Sequence, residues 1–364
     1  MTDVDINNPE FPAMFPRRMI PVGLIVLTLA ASAVPDEIVL IPGSTVKQAA
    51  GGRVRGAVQS ESPAEVVVKL GANTINVPTD QIVSIRYDGQ PASLALAESN
   101  ESGGQLAKAA ELYKKAAAEA SSKPFIEQAA KYKHAEVTAD IALGDPAKAA
   151  EAVALLDAFV KENATSRHVG PALESLARLQ LQKGDYAATD KSIAALAKLP
   201  SGADRSAVLR AKVLGRKGDH AGAVAELDKL IKSAPDGSVR QREAKLAKAE
   251  SLAGLKKFPE AEADARAVIK ALPPEDVAAQ SAAYNTLGDC LRAAGRPKDA
   301  LLAFLHTDVL YSKDKEQHPR ALAAIAQLWR ELKNDGRADE VMLKLRQEYP
   351  QSPWLSATSN APAR

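Results

Sequence analysis

A chain of 364 residues with 46% hydrophobic residues has the apolar content to fold, which excludes a disordered polymer, and it is long enough for two domains or one elongated array. A net charge of +2 excludes the strong basic excess of a nucleic-acid binder. Aromatic residues make up 4% and alanine is abundant, which favours helices packed closely through small side chains. The single cysteine, Cys290, excludes an intramolecular disulfide and a cysteine-based zinc site, and is expected as a small buried hydrophobe.

In chain order, residues 1–16 are polar and proline-bearing, Arg17-Arg18 abut an apolar run from Ile20 to Ala33, and that run ends in Ala31-Ser32-Ala33. A basic segment, a short apolar run and a small-x-small site describe a secretory signal, and the run is shorter than the about 20 residues a spanning helix needs. Residues 1–33 are therefore expected as an export signal cleaved after Ala33, or as an anchor where 17–33 stay uncleaved. The expected location is exported: periplasm or cell envelope. Arg17-Arg18 are a poor match to the twin-arginine route, and no cysteine nearby would carry a lipid.

Residues 34–90 change pattern. Strands are expected at 37–40, 53–60, 65–70, 74–77 and 81–87, where β-branched residues alternate with polar ones and Ser62-Pro63 and Gly71-Ala72-Asn73 mark turns. Gly56 inside a strand fits a bulge or sharp bend. This layout resembles small SH3-like or Sm-like barrels. Sm-like barrels often bind RNA, but the RNA-contacting motifs are not recognisable here, so a structural or protein-contact role is expected.

From Pro91 to residue 355 a phrase recurs: a glycine, a short polar stretch, then an alanine-rich helix. It reads Gly144-Asp145-Pro146, Gly184-Asp185-Tyr186, Gly218-Asp219-His220, Gly295-Arg296-Pro297 and Gly336-Arg337-Ala338, with weaker copies at Gly104 and at Lys256-Lys257-Phe258-Pro259, where the glycine is missing. The anchors recur about every 34 to 41 residues, the period of helix-turn-helix repeats. Glycine ends the first helix in the left-handed cap conformation, and Asp or Pro restarts the second. Ala149, Ala223 and Ala300, five residues past their glycines, would let the two helices approach closely. Between Ser281 and Asp314, the residues Tyr284, Leu287, Gly288, Leu291, Gly295, Ala300, Phe304 and Thr307 make the segment resemble a tetratricopeptide repeat. The expected fold is mainly α: a tetratricopeptide-like solenoid of about seven helix pairs wound as a right-handed superhelix, preceded by the small barrel-like β domain. Leu287, Leu291, Leu301 and Phe304 are expected in its shared core, and residues 356–364 as a frayed tail.

No motif carries catalysis. The five histidines have no metal-ligand spacing and are expected on the surface or in loops. There is no phosphate loop, GxGxxG or GxSxG. No metal or cofactor is expected. Tetratricopeptide arrays bind extended peptides or partner domains on the concave face lined by each first helix. Carried over by register, the resemblance implies partner-binding positions at Asn285, Asp289 and Arg292, at Arg205, Lys212 and Arg216, at Arg178 beside Glu174, and at Arg330 and Lys333. Cations outnumber acids in this set, which implies a mildly basic groove for acidic or C-terminal carboxylate groups. The expected function is an exported, non-catalytic scaffold for protein or peptide partners in cell-envelope organisation or assembly. The alternatives are an RNA-binding Sm-like protein with a helical array, or an accessory subunit of an envelope enzyme.

Overall fold

The computed structural model describes residues 35–355 apart from 42, 48, 201, 351 and 353; the expected signal at 1–33 and tail at 356–364 lie outside the described residues. Five strands come first: β1 (Asp36–Leu40), β2 (Arg53–Glu61), β3 (Glu65–Leu70), β4 (Asn73–Pro78) and β5 (Ile82–Arg86). They form one antiparallel sheet in the order β4-β3-β2-β1-β5, and a single 3-10 turn, Thr79–Gln81, carries the chain from one edge to the other. The period-two pattern does what its spacing dictates: Ile38, Leu40, Val54, Val66, Val68 and Val77 point to one side and are buried together. Strand β2 is bent. Its residues Arg53 to Gly56 pair with β1, and Ala57 to Glu61 pair with β3. Gly56 sits at the changeover, where a Cβ would meet the Lys69 carbonyl oxygen at 2.4 Å and Leu70 Cδ2 at 2.7 Å. The bend exists because no side chain stands there.

Fourteen α-helices follow among the described residues, as seven antiparallel pairs. They are α1 (Ala92–Ser102) with α2 (Leu106–Glu119), α3 (Pro124–Gly144) with α4 (Ala149–Glu162), and α5 (Val169–Gln182) with α6 (Tyr186–Ala197). Then come α7 (Gly202–Arg216) with α8 (His220–Ser233), α9 (Val239–Gly254) with α10 (Phe258–Ala271), α11 (Val277–Ala293) with α12 (Pro297–Leu310), and α13 (Gln317–Glu331) with α14 (Asp335–Glu348). The fold is a tetratricopeptide-like helical solenoid preceded by the sheet. Each helix packs on its successor, and from α3 onward each odd helix also packs on the next odd one, so the odd helices form a continuous inner layer.

The turns follow the recurring phrase with three changes, the first being that Gly144 is the last residue of α3 and the chain passes through Asp145 and a 3-10 turn, Pro146–Lys148, into α4. Gly104, Gly184, Gly218 and Gly295 have φ between 72° and 84°, the left-handed cap. Asp185 and Asp219 then accept from the backbone N–H of Ala188 and Gly222 and start α6 and α8, while Pro259 and Pro297 open α10 and α12. In the fifth pair, Lys256 takes the left-handed position itself, at φ 59°. In the seventh, the expected anchor Gly336 is inside α14; the left-handed residue is Lys333, at φ 62°, and Asn334 caps the helix. The residue five places beyond each left-handed one, Ala109, Thr189, Ala223, Ala261, Ala300 and Ala338, is 0% exposed. Leu287, Leu291, Leu301 and Phe304 are buried in the core of the sixth pair. There a Cβ on Gly288 would strike the Phe304 ring at 2.6 Å, which is why a large ring and an absent side chain face each other.

The sheet shares its core with the array. Tyr87, Val58 and Ile85 pack with Leu94, Ala97 and Ile126 of α1 and α3. Arg167, in the turn before α5, reaches back to Glu61 at the end of β2 with a 3.1 Å ion pair in which the Glu61 side chain is 1% exposed.

Candidate functional site

A cavity of about 890 Å³ opens between β5 and the inner helices. Four successive β5 residues, Ile82, Val83, Ser84 and Ile85, line one side. Glu98 and Glu101 of α1, Tyr113 of α2, and Tyr132, Lys133 and Glu136 of α3 line another, and Arg167, His168, Arg205 and Lys313 complete the wall. The volume and partial enclosure are those of a ligand-sized cleft.

Its floor is a polar network built on α1 and α3. Tyr113 donates to Glu101, Tyr132 donates to Glu136, and Lys133 Nζ lies 2.9 Å from Glu101 and 2.7 Å from Glu136. Burial alone would lower the Lys133 ammonium; Glu136 and Glu101 outweigh it and hold it above its ordinary value. Two other carboxyls in this region make no hydrogen bond or ion pair. Burial, then Glu101, raises Glu98. Burial, then Glu136, pushes Asp140, one turn beyond Glu136 on α3, up to about 7 against the pull of Arg178. Behind the network Tyr87 donates to Glu61; burial raises the Glu61 carboxyl although Arg167 draws it down.

His168 stacks on Tyr132 with ring centroids 4.7 Å apart. It is 7% exposed, and its Nε2 has no hydrogen-bond partner. Burial, and then the neighbouring Arg167, push its pKa well below the ordinary histidine value, so it is neutral. His168 lies in the turn before α5, so the expectation that the histidines lie on the surface or in loops holds for its position although it is buried; the expectation fails at His318, inside α13. That residue is 0% exposed and is held between Asp308 and the Tyr349 hydroxyl, each at 2.8 Å. His318 was misplaced because Asp308 of the preceding hairpin and Tyr349 at the end of its own hairpin close over it.

Of the nine partner-binding positions implied by register, Arg205 lines the cavity, where it pairs with Glu174 at 3.3 Å. Arg178 is exposed on α5 within electrostatic reach of Asp140. Lys212 and Arg216 are exposed on α7. Asn285 is 0% exposed, with its amide donating to Gln317 and its carbonyl accepting from Thr307 at 2.9 Å; it ties three helices together and presents no surface. Asp289 pairs with Arg320, and Arg292 bonds Gln327 at 2.8 Å and Glu331 at 3.1 Å. Arg330 lies 3.6 Å from Asp339, and Lys333 occupies the left-handed turn. The cavity acids Glu98, Glu101 and Glu136, and Asp140 one turn beyond Glu136, were absent from the expected set. The signal available for them was the i, i+4 row Tyr132, Glu136, Asp140 on one face of α3.

Cys290 is 2% exposed and burial lifts its thiol to about 12, so it packs as a small apolar residue. Among the described residues no cluster of three or more His, Cys, Asp or Glu could hold a metal ion, and no helix is long and apolar enough to cross a membrane.

Residues 208–276 and 246–307 match the family described as Tetratricopeptide repeat. Comparison with curated protein sequences gives no match. Among solved structures, the chain is similar to a tetratricopeptide repeat protein from Parabacteroides merdae, at 16% identity over 74% of this chain and 98% of that one, with a TM-score of 0.45. It is also similar to PilW, a type IV pilus biogenesis factor, at 18% identity over 59% and 93% with a TM-score of 0.40. The apo form of the quorum sensor NprR from B. thuringiensis is similar at 11% identity over 70% and 75%, with a TM-score of 0.48.

Proposed function

We propose that the chain is a non-catalytic scaffold that takes a protein or peptide partner into the cavity between β5 and the inner helix layer, and that it does so in the cell envelope after export through residues 1–33. The observation that carries the binding reading is the cavity itself: a cleft of about 890 Å³ walled by a sheet edge and the inner layer of a tetratricopeptide-like array. Its side chains suit recognition better than turnover. The tyrosines are fixed to carboxylates by hydrogen bonds, and among the described lining residues no serine or threonine hydroxyl bonds a histidine or a carboxylate. The groove cations expected from sequence contribute less, since Arg205, Arg292 and Arg330 each face an acid on a neighbouring helix.

A photo-crosslinking residue placed at Val83, which is 60% exposed in the cavity, is expected to capture a partner in envelope fractions; the same residue at Leu343, 54% exposed on α14, is expected to capture none. Equal yields at the two positions would remove the cavity from the reading. Loss of the Val83 capture on Lys212→Glu with Arg216→Glu would extend the contact to α7. Export is tested separately: sequencing of the mature N-terminus is expected to begin at Val34, and a protein that keeps Met1 and stays in the cytoplasm would overturn the envelope assignment.

A further inference from the structure

We propose that the occupant of the cavity is an extended peptide that adds to β5 as the next strand and directs a lysine or arginine side chain toward Glu98. The proposal rests on the cavity being the partner site and names the chemistry of the partner.

Three observations carry it. First, β5 is the last strand of the sheet and pairs only with β1. Its residues alternate between the two faces of the sheet, yet four in succession line the cavity. A run of consecutive lining residues means that the strand meets the cavity along its edge, where one row of backbone N–H and C=O groups has no partner in the sheet. A free edge of this kind is a template for another strand.

Second, the register slips between Val39 and Leu40: Ser84 pairs with Val39 and Ile82 with Leu40, leaving Val83 as the extra residue of a bulge. The bulge leaves Val83 60% exposed, an apolar side chain among the cavity-lining residues. A bulged edge walled in by α1 and α3 has no room for the sheet of a second folded copy. A single flexible chain can follow the bulge and place an apolar side chain against Val83.

Third, the charges facing β5 are incomplete. Glu98, which lines the cavity, has no ion pair, although Lys133 and Arg86 are within electrostatic reach. Lys133 is already shared by Glu101 and Glu136. A cationic side chain entering between α1 and α3 completes this set; an anionic one would meet Glu98, Glu101 and Glu136, the three carboxylates these helices bring to the cavity wall. The buried, unpartnered Nε2 of His168, in the same wall, supplies one more polar atom that a bound segment would satisfy.

The test uses a phage-displayed library of random dodecapeptides panned against the full chain at low ionic strength, with affinities of the selected peptides read by fluorescence anisotropy. The expected consensus alternates apolar residues and contains a lysine or arginine. Replacing that residue by methionine is expected to weaken binding about tenfold in the wild-type protein and less than about twofold in Glu98→Gln, because the same pair is removed only once. N-methylation of alternate peptide amides is expected to weaken binding about tenfold or more, with the intervening amides indifferent, because only every second amide faces β5. An acidic consensus, or affinity indifferent to N-methylation at every position, overturns the proposal. If such peptides still compete with the Val83 crosslink, the cavity reading survives and strand addition does not. If no selected peptide is displaced by Val83→Trp, both fall.

Discussion

The two halves of the helical array use their charged residues in opposite ways. From α9 to α14 they join hairpins: Arg292 bonds Gln327 and Glu331, Arg320 pairs with Asp289, Lys344 lies 2.6 Å from Asp308, and Asn285 is locked between Gln317 and Thr307. Around the sheet and α1 to α5 they surround a cavity and leave Glu98, Asp140 and His168 Nε2 without partners. The family match covers residues 208–307, from α7 to α12, and reaches none of α1 to α5. The repeat signature is clearest where side chains hold the repeats together, and it fades where the chain builds a site.

The largest expected effects come from one deep substitution in each half. Phe304→Ala removes a 0% exposed ring and is expected to cost about 3–5 kcal/mol. Contacts in a repeat array are between neighbours, so hydrogen exchange should rise in α11 to α13 and stay unchanged in α1 to α3. Arg167→Met leaves the buried Glu61 charge unpaired and is expected to cost about 3–5 kcal/mol, with much of it recovered in the double variant Arg167→Met with Glu61→Leu. Here exchange should rise in β2, β5 and α1 together, since that ion pair ties sheet to array. If Phe304→Ala loosens both halves equally, the contrast between them is wrong.

How much of this was legible follows from the same contrast. The strands at 37–40, 53–60, 65–70, 74–77 and 81–87 lie within one or two residues of β1 to β5, because period-two alternation and turn residues are local signals. The bend at Gly56 was also local. The helical class was readable from glycine, Asp or Pro, and alanine at fixed offsets. Gly336 misled because Lys333, three residues earlier, takes the left-handed turn, and propensity disfavours lysine there. The site was not legible. Glu61 meets Arg167 across 106 residues, and the face of β5 opposite β1 is seen to be free only once the strand order is known. Asn285 failed as a groove residue because register places a residue on a helix face but cannot say which neighbouring hairpin covers it.

A middle-sized prediction sharpens the comparison through pH. Folded Asp140 holds its proton up to about pH 7, whereas its ordinary value is 3.8. Between those values the folded state binds more protons than the unfolded one, so stability from this group falls as pH rises. Glu136 adds to the cost of ionising it, while Arg178 and Lys133 reduce it. Asp140→Asn is therefore expected to raise the urea midpoint at pH 8, by about 1–2 kcal/mol in stability, and to give no gain near pH 4. His168 acts in the other direction: its lowered pKa gives stability that is complete above 6.5 and is lost as pH falls. The raised carboxyl of the C-terminal half, Asp289, has its own partner in Arg320, so exchange rates there should not follow the Asn substitution at position 140. A pH-independent gain would mean that Asp140 ionises normally.

The smallest effect tests whether a missing glycine marks function or only strain. Lys256 and Lys333 sit at φ 59° and 62°, in turns where Gly184, Gly218 and Gly295 sit at 72° to 84°. A left-handed residue with a Cβ costs about 1–2 kcal/mol, and glycine returns part of that as unfolded-state entropy of about 0.5–1 kcal/mol. Lys256→Gly and Lys333→Gly should each stabilise by about 0.5–1 kcal/mol, and their effects should add because they lie in different hairpins. Neither lysine is among the residues that line the 890 Å³ cavity, so the crosslink at Val83 should be unchanged. Calorimetry of the single and double variants decides the first point: no rise in Tm would mean that each lysine has local contacts worth its backbone strain. Loss of the crosslink in Lys333→Gly would decide the second, because it would couple a turn that does not line the cavity to what the cavity holds.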